Sequence, residues 1–232
     1  MNESSQSGSQ CVSFDSQPEP AEFSSVRGKK LSDFAKRAAD LALATPAFIL
    51  LSPLLLALAA WIKLDSKGPA LYRGKRAGRF GQPFFVLKLR TMVANAEQLG
   101  GAESPADDPR ITRLGSFLRR YKFDELPQLW NVIRGEMSLV GPRPEVLDEV
   151  CRYTPRERQL LSVKPGITDW ASIKFRNEDE ILRGSTDPHL AYHEKIRPDK
   201  VRLGLEYVEK RSLLVDFKIL LQTLRSVMFD VA

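Results

Sequence analysis

Hydrophobic and polar positions divide this chain into three unequal parts. Residues 1–28 mix Ser, Gln, Glu and Pro with no apolar period. Such a stretch cannot bury enough surface to offset the entropy lost on ordering, so a disordered polar tail is expected there. Leu41–Ile62 (LALATPAFILLSPLLLALAAWI) then runs for 22 residues without a charge. From about residue 67 polarity returns, broken into short periodic segments. The expected organisation is a tail at 1–28, an apolar hairpin at 29–66, and a core at 67–232 that ends in an amphipathic helix.

An unbroken helix over the 22 uncharged residues would be roughly 33 Å long, enough to cross a hydrocarbon core of about 30 Å. A cleaved leader fits poorly: the run starts some 40 residues in and exceeds the usual apolar stretch of a signal peptide. A buried soluble helix fits poorly too, because a helix apolar on every side is rare outside a large core. Pro53, preceded by Ser52, removes a backbone bond in mid-segment and splits the run into halves of about half a bilayer each. Five basic residues lie between Arg27 and Arg37 and six between Lys63 and Arg79. Positive flanks favour the cytoplasmic side, and one crossing cannot put both there. A re-entrant helix–break–helix with its break at Ser52-Pro53 meets both constraints, and a plain spanning helix with a tolerated proline is the alternative.

Beyond this segment, Ala70–Met92 reads as two short strands around Gly78, Gly81 and Pro83. Val93–Asp108, with a Gly-Gly pair and Pro105, reads as a mobile loop. Ile111–Arg120 repeats Ile111, Leu114, Phe117 and Leu118 at helical spacing, and a second helix is expected from Leu126 through Ile133, with Asp124, Glu125 and Pro127 at its start. Glu145–Arg152 is a short helix candidate and Pro165-Gly166 a turn. Leu205–Met228 has an apolar face of Leu214, Phe217, Leu221, Leu224 and Met228, suited to an interfacial or a core helix. The expected fold class is therefore α-rich α+β: a small core with a short β-hairpin, carried on the re-entrant membrane hairpin and interfacial amphipathic helices.

Composition narrows the function. The 232 residues include 35 Lys+Arg and 29 Asp+Glu, for a net charge of +6. Mean hydropathy is −0.26, an average of unlike parts. The basic excess, interleaved with Tyr72, Phe80, Phe84 and Phe85, could in principle bind nucleic acid. Beside an apolar anchor, anionic lipid headgroups are the more economical partner, so no nucleic acid is expected. Dinucleotide, P-loop, nucleophile-elbow and C-x-x-C motifs are absent. His189 and His193 stand four apart with Glu194 next, but no third metal ligand is signalled, and two surface histidines are the simpler reading.

The densest polar constellation is Asp108–Glu145. It holds Asp124-Glu125 amid Arg110, Arg113, Arg119, Arg120, Arg134 and Arg143, with Gly141-Pro142-Arg143-Pro144 as a rigid loop. Arginine forks bind phosphate oxygens, and a carboxylate can hold Mg²⁺ or attack phosphorus. Alternatively, Asp124-Glu125 caps a helix and pairs with Arg119 and Arg120.

The run LGSFLRRYKFDELPQLWNVIRGEMSLVGPRPE closely resembles the signature of the bacterial sugar transferases, monotopic phosphoglycosyl transferases that act on polyprenyl phosphate. KRAADLALATPAFILLSPLLLALAAWIKLDSKGPALYRGKRAG, PFFVLKLRTM and VKPGIT resemble its membrane segment, its K-x-R-T-M motif and its downstream turn. The resemblance implies a re-entrant membrane hairpin with Ser52-Pro53 at its apex, on the cytoplasmic face of a bacterial inner membrane. It implies transfer of a sugar-1-phosphate from a nucleotide diphosphate sugar, expected to be a UDP-sugar, to undecaprenyl phosphate, as the first membrane step of a glycan pathway. Asp124 matches the nucleophile, forming an aspartyl-phosphosugar, and Glu125 the second carboxylate. Mg²⁺ is implied, with Asp124 as its protein ligand. Arg119 and Arg143 match phosphate-gripping positions, with Lys88 and Arg90 as weaker candidates. Expected partners are the nucleotide sugar, undecaprenyl phosphate and membrane lipids, with a homodimer left open. Two departures stand out: Asp169 and Ser172 replace Gly and Gln of the G-I-T-G-W-A-Q pattern, and Lys122-Phe123 precedes the acidic pair where Ser/Thr-Leu is usual.

Overall fold

A computed structural model describes residues 30–99 and 104–229. The polar tail expected at 1–28 lies outside them. Helix α1 (Lys30–Asp65) comes first, then an antiparallel hairpin of β1 (Leu71–Ala77) and β2 (Pro83–Leu89). The register runs from Leu71 opposite Leu89 to Ala77 opposite Pro83, around a turn in which Phe80 and Gly81 have positive φ. There follow the one-turn α2 (Ala96–Leu99), α3 (Arg113–Arg120), a 3-10 turn at Phe123–Glu125 and α4 (Gln128–Arg134). A parallel pair, β3 (Ser138–Val140) and β4 (Gly166–Thr168), brackets α5 (Leu147–Cys151). The chain closes with α6 (Trp170–Lys174), α7 (Glu178–Ile181), α8 (Pro188–Lys195), α9 (Arg197–Lys210) and α10 (Leu213–Phe229). This is the helix-rich fold with a small β-hairpin that the pattern predicts.

The membrane segment differs from expectation in two ways. First, no gap in helical structure separates its halves: α1 continues through Pro46 and Pro53. Proline at 53 leaves the Ile49 carbonyl without its i+4 amide donor, and Ser52 Oγ donates to that same carbonyl at 2.7 Å. The Ser-Pro pair thus repairs the bond it breaks, which apolar surroundings would otherwise leave unmade. Second, α1 does not stand clear of the core. Ala44, Phe48, Leu51, Leu55, Leu58 and Ile62 recur at alternating spacings of four and three, and all pack on it. The first three meet Phe84, Val86, Leu129, Val132 and Met137; the last three meet Leu89, Leu114 and Leu118. The opposite side stays exposed: Ile49, Leu50, Leu56 and Leu64 are 66–87% accessible.

Polar ties fix the N-terminal part of α1 to the same body. Lys36 Nζ meets Asp216 at 2.6 Å, and Arg37 donates to the Val132 and Ile133 carbonyls that end α4. Asp40, buried at 5% exposure, accepts from Ser138 Oγ and Leu139 N. Part of the basic flank therefore serves the fold and not lipid headgroups.

Two further elements depart from the reading of the sequence. The helix expected over Leu205–Met228 is two, α9 and α10, because extended Arg211 interrupts it and Ser212 Oγ accepts from Val215 N at the new start. Buried Tyr207 ties them together, donating to the Val140 carbonyl or to Asp216 Oδ1. The expected apolar face of α10 is exposed: Leu214, Phe217, Leu221, Leu224 and Met228 are 51–83% accessible. The expected loop at Val93–Asp108 includes α2 and is pinned by Ala106 N to the Asp179 carbonyl and by Asp108 to Arg110.

Candidate active site

Asp124 and Glu125 occupy their own 3-10 turn, not the first turn of α4, which begins beyond Pro127. Lys122 enters that turn in the left-handed region at φ 57°, a costly conformation for a side chain other than glycine and one often retained at functional sites. Phe123 anchors the turn: its ring lies 5.9 Å from Tyr121 and 6.2 Å from Phe117, which in turn lies 6.4 Å from Trp61 of α1. The departure at Phe123 thus has a packing reason. It also brings the acidic pair beside the exposed apolar side of α1, since Trp61 and Phe117 are 53% and 42% accessible.

The two carboxylates live in different surroundings. Glu125 is held by Lys88 Nζ at 3.0 Å and by both Arg143 Nη atoms. Burial pushes its carboxyl up, but the charges of Arg143 and Lys88 win and hold it well below the usual range. Asp124 is buried, and its Oδ1 has no hydrogen-bond partner. Burial and then the Glu125 charge raise its pKa, opposed by Lys88, Lys122 and Arg119. Neighbouring titratable groups driven apart in this way are a mark of divided chemical roles. The unpartnered Oδ1 is a desolvated carboxyl oxygen, suited in its ionised form to attack an electrophile or to bind a hard cation. An oxygen donor alongside substrate phosphates is a donor set that suits Mg²⁺, and Asp124 supplies one.

Arg119 comes to this site from α3. Thr112 caps that helix, accepting from Gly115 N at 2.9 Å. A Cβ on Gly115 would stand 1.9 Å from the Thr91 carbonyl, so only glycine lets α3 approach so closely. The approach puts Arg119 Nε 2.9 Å from Thr91 Oγ1, while Nη1 donates to Ser104 Oγ at 2.7 Å. Burial lowers the Arg119 pKa, partly restored by the charge of Asp124. Arg143 is delivered by the loop after β3, where the Gly141 and Gly166 backbones touch: a Cβ on Gly166 would lie 2.1 Å from Gly141 N.

Of the expected residues, Glu125, Lys88 and Arg119 act on Asp124, and Arg143 joins the cluster through Glu125. Arg90 does not. Its guanidinium donates to the carbonyls of Lys67 at 2.8 Å and Ser66 at 2.7 Å, just past α1. It clamps the exit of that helix instead of facing a phosphate. Ser52 and Pro53 lie within α1 and not at a gap between two helices. Asp169 and Ser172 form a helix cap: Asp169 is 2% exposed and accepts from Ser172 N at 2.6 Å and Oγ at 2.7 Å. They line a cleft with Pro142, Arg143, Tyr192 and Lys200. The reading of the sequence noted Lys122 only as a departure from the motif and gave it no role, though a basic residue two places before the acidic pair was a signal. It also passed over Asn131, which braces β2 by accepting from Leu87 N and donating to the Phe85 carbonyl.

The profile of the family "Bacterial sugar transferase" matches residues 31–230. The chain belongs to that family. Within it, the chain is 39% identical over 199 residues to a UDP-glucose:undecaprenyl-phosphate glucose-1-phosphate transferase of Caulobacter vibrioides, covering 84% of this chain and 70% of the relative. It is 40% identical over 195 residues to the protein of the same description in Escherichia coli K12, covering 81% of this chain and 39% of that one. It is 35% identical over 223 residues to the exopolysaccharide production protein ExoY of Sinorhizobium fredii, covering 90% and 91%. The match thus spans most of some bacterial sugar transferases and well under half of others. Membership places this chain among transferases, and Asp33–Asp65, with mean hydropathy 2.2 in its most apolar window, is long and apolar enough to cross a membrane.

Proposed function

We propose that this bacterial sugar transferase moves a sugar-1-phosphate from a UDP-sugar to undecaprenyl phosphate by way of a covalent intermediate on Asp124. The observation that carries the reading is the buried, unpartnered Asp124 Oδ1 beside a Glu125 already neutralised by Lys88 and Arg143. Asp124 Oδ1 attacks the sugar-bearing phosphorus; a P–O bond forms and the bond to the other phosphate breaks, releasing nucleoside monophosphate. An oxygen of undecaprenyl phosphate then attacks the same phosphorus, and the aspartyl carboxylate leaves unchanged. Lys122 and Arg119 lower the cost of bringing a diphosphate to an anionic nucleophile. Glu125 stays ionised and keeps Lys88 and Arg143 in place rather than exchanging protons. Mg²⁺, with Asp124 as protein ligand, would offset charge on the diphosphate.

The same reading places α1 in one leaflet of the cytoplasmic membrane, entering and leaving on the side of the core. The core lines α1 along its length, and charged residues tie down both ends. A full crossing would carry those charges into hydrocarbon, at several kcal/mol each. The exposed faces of α1 and α10 then meet lipid, and the acceptor reaches Asp124 past Trp61 and Phe117. The product is the first lipid-linked sugar of a bacterial glycan.

A panel of nucleotide sugars, offered with undecaprenyl phosphate to the purified protein, tests the reaction class. Release of nucleoside monophosphate with a UDP-sugar, abolished by Asp124→Asn, is expected. Full turnover by that variant would remove Asp124 from its role.

A further inference from the structure

The fold brings a third group to the histidine pair. His189 and His193 lie one turn apart on α8, and buried Glu149 of α5 meets them. Their potential ligand atoms all lie within 4.8 Å of one another. His193 Nε2 is 3.6 Å from Glu149 Oε1, close to the spacing of about 3.4 Å between neighbouring donors around a tetrahedral zinc ion with bonds of 2.0–2.1 Å. That nitrogen is buried and has no hydrogen-bond partner, a state that calls for a reason in a folded protein.

Two arginines compete for Glu149, and neither closes the site. Arg197 Nε stands 3.7 Å from Oε2 but makes its shorter contact with Glu157, at 2.8 Å. Arg152 reaches Oε1 at 3.3 Å on a side chain that is 59% accessible and can swing aside.

We propose that Glu149, His189 and His193 form a site for one zinc-type divalent cation, with a fourth position open to water. Two imidazoles and a carboxylate suit a borderline-soft transition metal and select against Mg²⁺, which prefers oxygen and keeps its waters. The site shares no residue with the Asp124–Glu125 pair. Glu149 and Tyr192, next to His193, line the cleft that also holds Arg143, Asp169 and Ser172. An ion here joins α5 to α8 and fixes that wall.

Cobalt(II) and zinc titrations of the full-length, untagged, chelator-stripped protein in detergent, with millimolar Mg²⁺ present, test this. Expected is one equivalent of cobalt with the visible absorption of a tetrahedral nitrogen-ligated ion, displaced by zinc. Affinity should fall more than about tenfold in His193→Ala and in Glu149→Gln, while Asp124→Asn binds like the wild type. Zinc should raise the melting temperature of the wild type and leave that of His189→Ala/His193→Ala unmoved. Should Glu149→Gln fail to fold, the two histidine variants decide alone. Zinc affinity unchanged in both, or no cobalt spectrum in the wild type, overturns the proposal.

Discussion

Asp124 and Glu125 are adjacent in sequence and of like chemistry, yet their surroundings drive them in opposite directions. The difference lies in cations: Arg143 and Lys88 bond to Glu125 directly, whereas Lys88, Lys122 and Arg119 act on Asp124 only through space. The sequence showed that acids and arginines crowd together here, but not which arginine belongs to which task. Arg90 is the clearest case. Its spacing in K-L-R-T-M suggested a phosphate grip, but its partners are backbone carbonyls more than twenty residues upstream, and no residue pattern reports a carbonyl's position. Arg90→Lys should therefore destabilise the protein by about 1–3 kcal/mol, through backbone acceptors left unpaired, and leave the donor KM near the wild-type value. An unchanged melting temperature with a raised donor KM would return Arg90 to the substrate. Asp169 and Ser172 read as oddities within a motif because a helix cap is visible only once α6 is known to start there.

Among the elements, α1 was legible by composition and misjudged in form. Its 22 uncharged residues hide a stripe at four-and-three spacing, since both faces are apolar and hydropathy alone cannot tell core from lipid. The proline suggested a break, but the Ser52 hydroxyl meets the carbonyl it exposes. The hairpin and the helix ending at Arg120 were anticipated, because turn glycines and apolar spacing act locally, although α3 starts only at Arg113, behind a Thr112 cap that was not read. The split between α9 and α10 was missed: extended Arg211, whose guanidinium meets distant Asp33 at 3.1 Å, interrupts an otherwise continuous apolar pattern. The loop that carries Arg143 rests on the contact between Gly141 and Gly166. Gly166→Ala places a methyl 2.1 Å from Gly141 N, and overpacking of this kind costs about 1–3 kcal/mol. A lower melting temperature together with a raised donor KM is the expected result, and an unchanged KM would separate this contact from the site.

For the whole molecule, the net charge of +6 and the faintly polar average conceal a division of labour. Several basic residues that flank the apolar segment, Lys36, Arg37 and Arg79 among them, are spent on internal bonds. The apolar faces of α1 and α10 stay exposed, and under the proposed function they meet lipid. Single cysteines at Phe34→Cys and Lys67→Cys, in protein otherwise free of cysteine, report the topology from the two ends of α1. An impermeant maleimide added outside intact cells should label neither, and labelling of one position alone would establish a crossing.

The central claim is the covalent step at Asp124, and a donor carrying radioactive phosphorus in its sugar-bearing phosphate tests it most directly. Without lipid acceptor, label should stay with the wild-type polypeptide through denaturation, leave on treatment with hydroxylamine as an acyl phosphate does, and be absent from Asp124→Asn. Nucleoside monophosphate released in stoichiometric amount with no label on the protein would contradict the account.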